Sequence, residues 1–219
     1  LEMSVDPAST SRKRVPQGKH VAVLNQADAK IMVIANVESD TGKQTGIVLS
    51  FNSDGSINKD FNGGCLTIDL EGIAHNHHFA EVIAIQADGG VLVGGHYSGA
   101  SFSTYGLFFV RLTASGQMDP TFNGGIALNV PTTRLVTPRE MTVRSSDNAI
   151  VIVGEIVSDG ADNGLVIVLN ASGSFNRVFN NGNPLEFSLG LGGLVLESAM
   201  ALDNGSIVVV GFTGRKFFG

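Results

Sequence analysis

The sequence predicts an all-β fold of the β-propeller type, with about three and a half four-stranded antiparallel blades. One unit of about sixty residues is written three times, and the opening of a fourth copy follows. Apolar runs such as IVIV (150–153) and IVVV (207–210) are too short for helices and do not alternate with polar residues. Both faces of these strands should therefore be buried, as they are in a sheet packed between two neighbours.

Turns at fixed places divide each unit into four strands. The segments 88–90 (DGG) and 204–205 (NG) precede buried-strand runs and tolerate the positive φ of a tight hairpin. A third strand, a second turn and a short fourth strand follow in each complete unit. Phe61, Phe122 and Phe179 recur between the third and fourth strands, and each is predicted to be a wedge between neighbouring units.

The period sets the expected domain divisions. These are a polar tail (1–19, disordered or derived from a tag), three repeats (20–79, 80–139 and 140–198) and a partial fourth repeat (199–219).

Charge argues against nucleic acid as a partner. The chain has 14 basic and 20 acidic residues and a formal net charge of −6. Four of the basic residues lie in the tail, so the repeats themselves are more acidic than the whole chain. An acidic surface repels a phosphate backbone.

Membrane insertion and disulfide bonding are also not expected. The apolar runs are only a few residues long, and neither a transmembrane segment nor a signal peptide is visible, so the localisation stays open. Cys65 is the only cysteine, which excludes an internal disulfide framework and a cysteine-based zinc site. Its counterpart in the next unit is Ile126, so Cys65 is predicted to pack as a small apolar side chain. No cofactor is expected.

The topology predicts two unlike faces. In an up-and-down blade, the turns between strands 1 and 2 and between strands 3 and 4 emerge on one face, and here they are short and alike. The connections on the other face, the long-loop face, are longer and dissimilar, which favours it as the place where specificity is encoded. These connections are 36–46, 96–106, 155–164, 69–79, 129–139 and the Gly-rich stretch near 188–197.

Three histidines in one of these connections are candidate metal ligands. His75 and His77 project to one side of an extended chain and His78 follows, and a site would need one or two further ligands from Asp69, Glu71 or Glu81. Histidines in a polar loop are more often solvated, so we expect no physiological metal site and only weak, adventitious affinity.

Two other connections carry candidate ligand-binding residues. Asp159 and Asp162 have the spacing of carboxylates that bind calcium in a loop, although Asp-Gly is equally typical of a turn. His96, Tyr97 and Tyr105 belong to the second unit, where the aromatic rings either stack on a sugar or fold back onto the blade. No catalytic constellation is present, so the chain is predicted not to be an enzyme.

The second unit carries, in chain order, QADG (86–89), VLVGG (91–95), Arg111, Gly116, Met118-Asp119 and TFNGG (121–125). With these features the repeats resemble the delta-60 repeat, a bacterial tandem repeat found in many copies in large proteins. The resemblance covers essentially all of 20–219, with Asn58 and Asn176 in place of Asp119, and Ser50 and Leu169 in place of Arg111. It implies a β-propeller and no agreed activity.

The leading functional hypothesis is a non-catalytic binding or scaffold module that acts through the long-loop face on a protein or carbohydrate ligand. The alternatives are a sugar-active hydrolase or lyase and a structural spacer of a larger surface or secreted protein. A blade without a neighbour exposes apolar faces and strand edges. A two-fold homodimer, whose two sets of three and a half blades complete a ring of seven, is therefore favoured over a piece of a longer protein.

Overall fold

The computed structural model describes residues 17–23, 30–73, 76–99, 104–158, 161–190 and 192–214, and only the backbone of 17–23. These residues form three four-stranded antiparallel sheets and one two-stranded sheet. The first sheet consists of β1 Gln17–Val23, β2 Ile31–Glu38, β3 Gln44–Phe51 and β4 Cys65–Thr67. The second consists of β5 His77–Ile85, β6 Val91–Ser98, β7 Tyr105–Leu112 and β8 Leu128–Thr132. The third consists of β9 Val136–Val143, β10 Ile150–Ile156, β11 Asn163–Leu169 and β12 Leu185–Phe187, and the fourth of β13 Gly193–Ala201 and β14 Ile207–Gly214.

Each sheet is a meander in which the strands lie side by side in chain order. The first strands contact one another from sheet to sheet, β1 with β5, β5 with β9 and β9 with β13. The first strand of each sheet is therefore the innermost and the fourth is the outermost. The prediction of an all-β, propeller-type fold with four-stranded antiparallel blades is confirmed.

Alternate residues of one strand pack against different neighbours. In the second sheet, Val91 and Val93 belong to the apolar cluster shared with the first sheet, whereas Leu92 belongs to the cluster shared with the third. In the third sheet, Ile152 packs towards the second sheet and Val151 towards the fourth. The strands of the second and third sheets are apolar without alternation because each of these sheets has a neighbour on both sides.

The recurring phenylalanine is the wedge that the sequence predicts. Phe122 is 1% exposed, and a Cβ atom on Gly173 of the third sheet would lie only 2.9 Å from its ring. The N–H of Asn123 donates to the carbonyl of Ser172, 2.9 Å away. The segment that contains Phe61 makes the same two contacts with Gly116 and Ser115, so both segments join one sheet to the second turn of the next.

The connections of the long-loop face are shorter than the sequence suggests. The second and third strands are joined by residues 39–43, 99–104 and 157–162, and β8 is joined to β9 by only 133–135. The dissimilar residues around these connections extend the strands instead, because their backbone groups continue the hydrogen-bonded ladder. His96, Tyr97 and Tyr105 consequently lie on strands and not in a loop.

The expectation that Cys65 packs as a small apolar side chain is wrong. Cys65 is exposed at the start of β4, the outermost strand of its sheet. Its counterpart Ile126 is also 60% exposed, so an apolar residue at this position does not indicate burial. Among the residues that the structure describes, no further sheet lies outside the fourth strand to cover it.

Truncation of a buried wedge should cost more than truncation of an exposed one. We expect Phe122→Ala to lower the free energy of unfolding by about 3–5 kcal/mol, because the fully buried ring leaves a cavity between two sheets. Phe179→Ala is the matched control, since Phe179 occupies the same repeat position but is only half-buried. Denaturant unfolding of both variants measures the difference. An equal loss of unfolding free energy in the two variants would contradict the role of Phe122 as a buried wedge.

Candidate functional site

A β-bulge interrupts the innermost strand of every sheet at the same place. In β5 the pairing register passes from Ala80 to Val82 and skips Glu81. In β9 it skips Arg139, and in β13 it skips Glu197. The bulge of β1 skips Lys19. A bulge re-aims a side chain and interrupts the ladder, and bulges are common beside active sites. All four bulged residues carry charge.

Glycine on the facing strand makes room for this bulge. A Cβ atom on Gly154 would lie 2.2 Å from the carbonyl oxygen of Thr137, and one on Gly211 would lie 2.1 Å from that of Val195. At Gly95 of β6 the corresponding approach, to the carbonyl oxygen of Phe79, is closer still. The glycine that follows the apolar run in three of the repeats is thus required by the close approach of the bulged backbone.

The bulged carboxylate of the second sheet is buried and paired with a histidine. Glu81 is 2% exposed, and its Oε2 atom lies 2.8 Å from Nδ1 of His96 on the neighbouring strand β6. The His96 ring is stacked on Phe79, with 4.7 Å between the ring centroids. Phe79 and Glu81 therefore fix the plane and the hydrogen bonding of the imidazole.

The third sheet carries the same kind of pair with the signs reversed. Nη2 of the bulged Arg139 donates to Oε1 of Glu155 on β10, 2.5 Å away. Burial of the guanidinium lowers the pKa of Arg139, but the hydrogen bond with Glu155 and the charges of Glu155, Glu197 and Glu81 outweigh that effect and hold it above its usual value. Acidic groups from three sheets therefore act on one guanidinium.

The fourth sheet differs from the other two. Glu197 is exposed, and the strand position that holds His96 and Glu155 in the other sheets holds Phe212, which is 55% exposed. Glu197 thus has no ionisable partner at this position of its own sheet. We refer to Glu81, His96, Arg139, Glu155 and Glu197 as the bulge site.

Sequence reasoning found only part of the bulge site. His96 was a candidate ligand-binding residue and Glu81 a candidate accessory ligand, but Arg139, Glu155 and Glu197 were not singled out. The usable signal was positional: the charged residues 81, 139 and 197 stand at intervals of 58 residues, and each of their three sheets has a glycine opposite the bulge.

The other predicted residues of the histidine-containing segment have separate environments. His77 accepts a hydrogen bond at Nδ1 from the N–H of Gln44 in the first sheet, 3.3 Å away. His78 is 2% exposed and meets the Phe108 ring edge-on, with 5.9 Å between centroids. His75 lies outside the described residues. Among the residues that are described, no three His, Cys, Asp or Glu side chains are grouped so as to hold a metal ion.

The predicted aromatic residues lie close to the blade. Tyr97 is 5% exposed, belongs to the cluster between the first two sheets, and donates from its hydroxyl to Oδ1 of Asn129, 2.7 Å away. Its ring lies over Gly106, where a Cβ atom would clash with it. Tyr105 begins β7 and is half-buried. This arrangement is the one in which the ring of Tyr97 folds back onto the blade.

Asp162, in the acidic connection of the third sheet, makes hydrogen bonds within the connection and to the fourth sheet. Asp162 is 7% exposed, its Oδ1 accepts a hydrogen bond from the N–H of Ser158, and its carbonyl accepts one from the N–H of Leu194 in the fourth sheet. Asp159 lies outside the described residues. Asp162 therefore helps to attach the connection to the neighbouring sheet, and it is not part of the bulge site.

The opposite face holds a second polar group, centred on Arg111. Its guanidinium pairs with Asp119 and donates to Asp88 and to Gln86, each of the latter two at 2.5 Å. The N–H of Gly90 lowers the pKa of Asp88, and Arg111 lowers it further against the opposing effect of burial. In the first sheet the corresponding contact is a hydrogen bond from Asn58 to Ser50. Arg111 is thus already neutralised by neighbouring carboxylates.

Two clefts open between the hairpins of this face. One lies between the first and second sheets, has a volume of about 140 Å³ and is lined by Lys30, Met32 and Asp88 among others. The other lies between the second and third sheets and measures about 310 Å³, with Arg111 and Asn148 in its wall. The first is smaller than the pockets of drug-sized ligands, which span about 300–1,000 Å³, and the second lies at the lower end of that range.

Comparison with known families supports the propeller assignment. A family model described as a domain of unknown function (DUF5122) beta-propeller matches residues 86–122. The matched stretch runs from the first turn of the second sheet to its wedge phenylalanine and contains the whole Arg111 group. A β-propeller repeat is supported. No curated protein and no solved structure matches the chain.

The described residues contain no helix of the length and apolarity needed to cross a bilayer.

Filling the space opposite a bulge should destabilise the protein. We expect Gly154→Ala to lower the free energy of unfolding by about 1–3 kcal/mol, because the added methyl group meets the carbonyl of Thr137. Gly214→Ala is the matched control, since a Cβ atom at Gly214 in β14 would have no neighbour within 4 Å. Denaturant unfolding compares the two. An unchanged midpoint for Gly154→Ala would contradict the role given to glycine.

Zinc should bind this chain only weakly. The N–H of Gln44 already occupies Nδ1 of His77, and His78 is packed against Phe108, so three histidines cannot act together without rearrangement. Calorimetric titration at neutral pH is expected to show no submicromolar affinity. Submicromolar binding that disappears in a His75→Ala, His77→Ala double variant would contradict this expectation.

Proposed function

We propose that this chain is a propeller-type, non-catalytic binding module whose ligand contacts the bulge site. The observation that carries the proposal is the repeated placement of a charged residue at the bulge of each innermost strand. Bulges cost ladder hydrogen bonds, and three of the four sheets use a glycine to accommodate them. This cost recurs at a position that presents polar groups near the inner end of the blades.

The position of these residues within the strands supports the long-loop face as the binding face. His96 lies two residues before the end of β6, and Glu155 lies one residue before the end of β10. Both are therefore close to the connections between the second and third strands, which differ from one repeat to the next. A ligand on this face would meet the bulge site and these dissimilar connections together.

The chemistry of the bulge site suits a polar ligand. Arg139 and Glu197 are the accessible members, with the Arg139 side chain 35% exposed and Glu197 classed as exposed. The guanidinium offers donors and the carboxylate offers acceptors, which match the hydroxyl groups of a carbohydrate or the backbone of a protein segment. Glu81 and Glu155 lie behind them and are almost fully buried.

We also propose, on the basis of the resemblance, that the repeats belong to the delta-60 family. The match to a β-propeller family over 86–122 supports the fold that the resemblance implies. That family match assigns no activity, which is consistent with a binding module.

A panel of immobilised oligosaccharides tests the proposal, with Arg139→Met as the site variant. We expect the wild-type chain to bind members of the panel and Arg139→Met to lose at least tenfold in affinity. Such a loss corresponds to about 1.4 kcal/mol. Arg144→Met is the matched control, because Arg144 also forms an arginine–carboxylate pair, with Asp147, in the turn between β9 and β10 on the opposite face.

Each other outcome has a distinct meaning. Equal affinity of wild type and Arg139→Met would exclude the bulge site as the contact. Cleavage of a bound oligosaccharide, detected by mass spectrometry, would favour the hydrolase or lyase alternative. The absence of binding to oligosaccharides and to purified candidate protein partners would favour the structural-spacer alternative.

A further inference from the structure

In the described part of the chain, the fourth sheet has one uncovered apolar face. Its members are Met200, Val208, Val210 and Phe212, which are 61%, 50%, 62% and 55% exposed. Met200 and Val208 lie directly opposite each other in the pairing of β13 with β14. Together they form a contiguous patch on one side of a two-stranded sheet. Exposed apolar patches of this kind mark interaction surfaces.

The other repeats show what kind of residue covers the equivalent face. Val208 and Val210 hold the strand positions of Val151 and Val153, which are both 0% exposed. Val151 and Val153 are covered by the fourth sheet, whose Ile207 and Val209 belong to the same apolar cluster. Leu92, 1% exposed, holds the same position in the second sheet and is covered by the third. In each case the covering residues belong to the next sheet.

The first sheet of this chain offers the required surface. Ile31 and Val33 hold the strand positions of Ile207 and Val209, and no sheet precedes theirs in the described residues. Both are half-buried. We propose that a second copy of this chain covers the exposed face of the fourth sheet with its first sheet, so that Ile31 and Val33 of one copy pack against Val208 and Val210 of the other.

The charges of the bulges favour this pairing over the contact of two fourth sheets. From the second sheet to the fourth, the bulged residues are Glu81, Arg139 and Glu197, which alternate in sign. Two fourth sheets placed face to face would bring two Glu197 carboxylates together, whereas a first sheet placed next to a fourth sheet would not.

Two copies joined in this way close a ring. Each copy supplies four sheets, and each sheet takes the place of one blade. The ring therefore has about eight blade positions, within the range of about four to eight blades that closed propellers have. The two incomplete sheets stay separate. Each consists of the first and second strands of a blade, so the two cannot merge into one blade. The predicted ring of seven is thus replaced by one of eight positions. Two identical contacts then hold the dimer, one at each junction.

Light scattering coupled to size-exclusion chromatography tests the proposal with the full chain. We expect the wild type to have twice the chain mass of 22.9 kDa at micromolar concentration. Val210→Asp should be a monomer, because an unpaired carboxylate would be buried at both junctions. Val178→Asp is the matched control and should remain a dimer, since Val178 is 97% exposed on the third sheet.

A second variant separates the head-to-tail ring from a face-to-face dimer. Val33→Asp alters only the first sheet and should also be a monomer, with circular dichroism confirming that it is folded. Mixing Val33→Asp with Val210→Asp should restore a dimer, because one of the two junctions is then unaltered. A monomeric wild type, an open polymer, a dimeric Val210→Asp or a folded, dimeric Val33→Asp would each overturn the proposal.

Discussion

Burial of both faces of the second and third sheets is the constraint on which this structure depends. No single sheet can satisfy it, because a sheet buries one face only against another element. Alternate residues of each strand face the preceding and the following sheet, and the wedge phenylalanine adds a contact near the outer end of the blades. Stability should therefore be a property of adjacent pairs of sheets, as in other repeat proteins.

The same constraint separates the roles of the two ends of each strand. The apolar middle of β6 and β10 is fixed by its two neighbours, so Val93 and Ile152 have no freedom to take part in recognition. Polar residues enter where the bulge interrupts the ladder, as at Glu81 and Arg139, and they are paired with a residue of the next strand. The bulge thus admits charge at the inner end of a blade whose centre is entirely apolar.

The fold was predictable from sequence because its signals are local and repeated. Unbroken apolar runs, the Asp-Gly turns and Phe122 each identify a structural position by themselves. The lengths of the connections were overestimated, since polar residues such as His96 continue a strand without altering its backbone hydrogen bonds. The bulge site was mostly missed because a register shift leaves no composition signal, and the pairing of Arg139 with Glu155 requires knowledge of which residues face each other.

A double-mutant cycle across one junction measures the central claim directly. Leu92 and Ile152 belong to one cluster between the second and third sheets, whereas Val151, adjacent to Ile152 in sequence, faces the fourth sheet. Leu92→Ala and Ile152→Ala should therefore be coupled by about 0.5–3 kcal/mol, and Leu92→Ala and Val151→Ala should be additive within about 0.5 kcal/mol. Equal coupling in both cycles, or none in the first, would contradict the alternate packing of each strand.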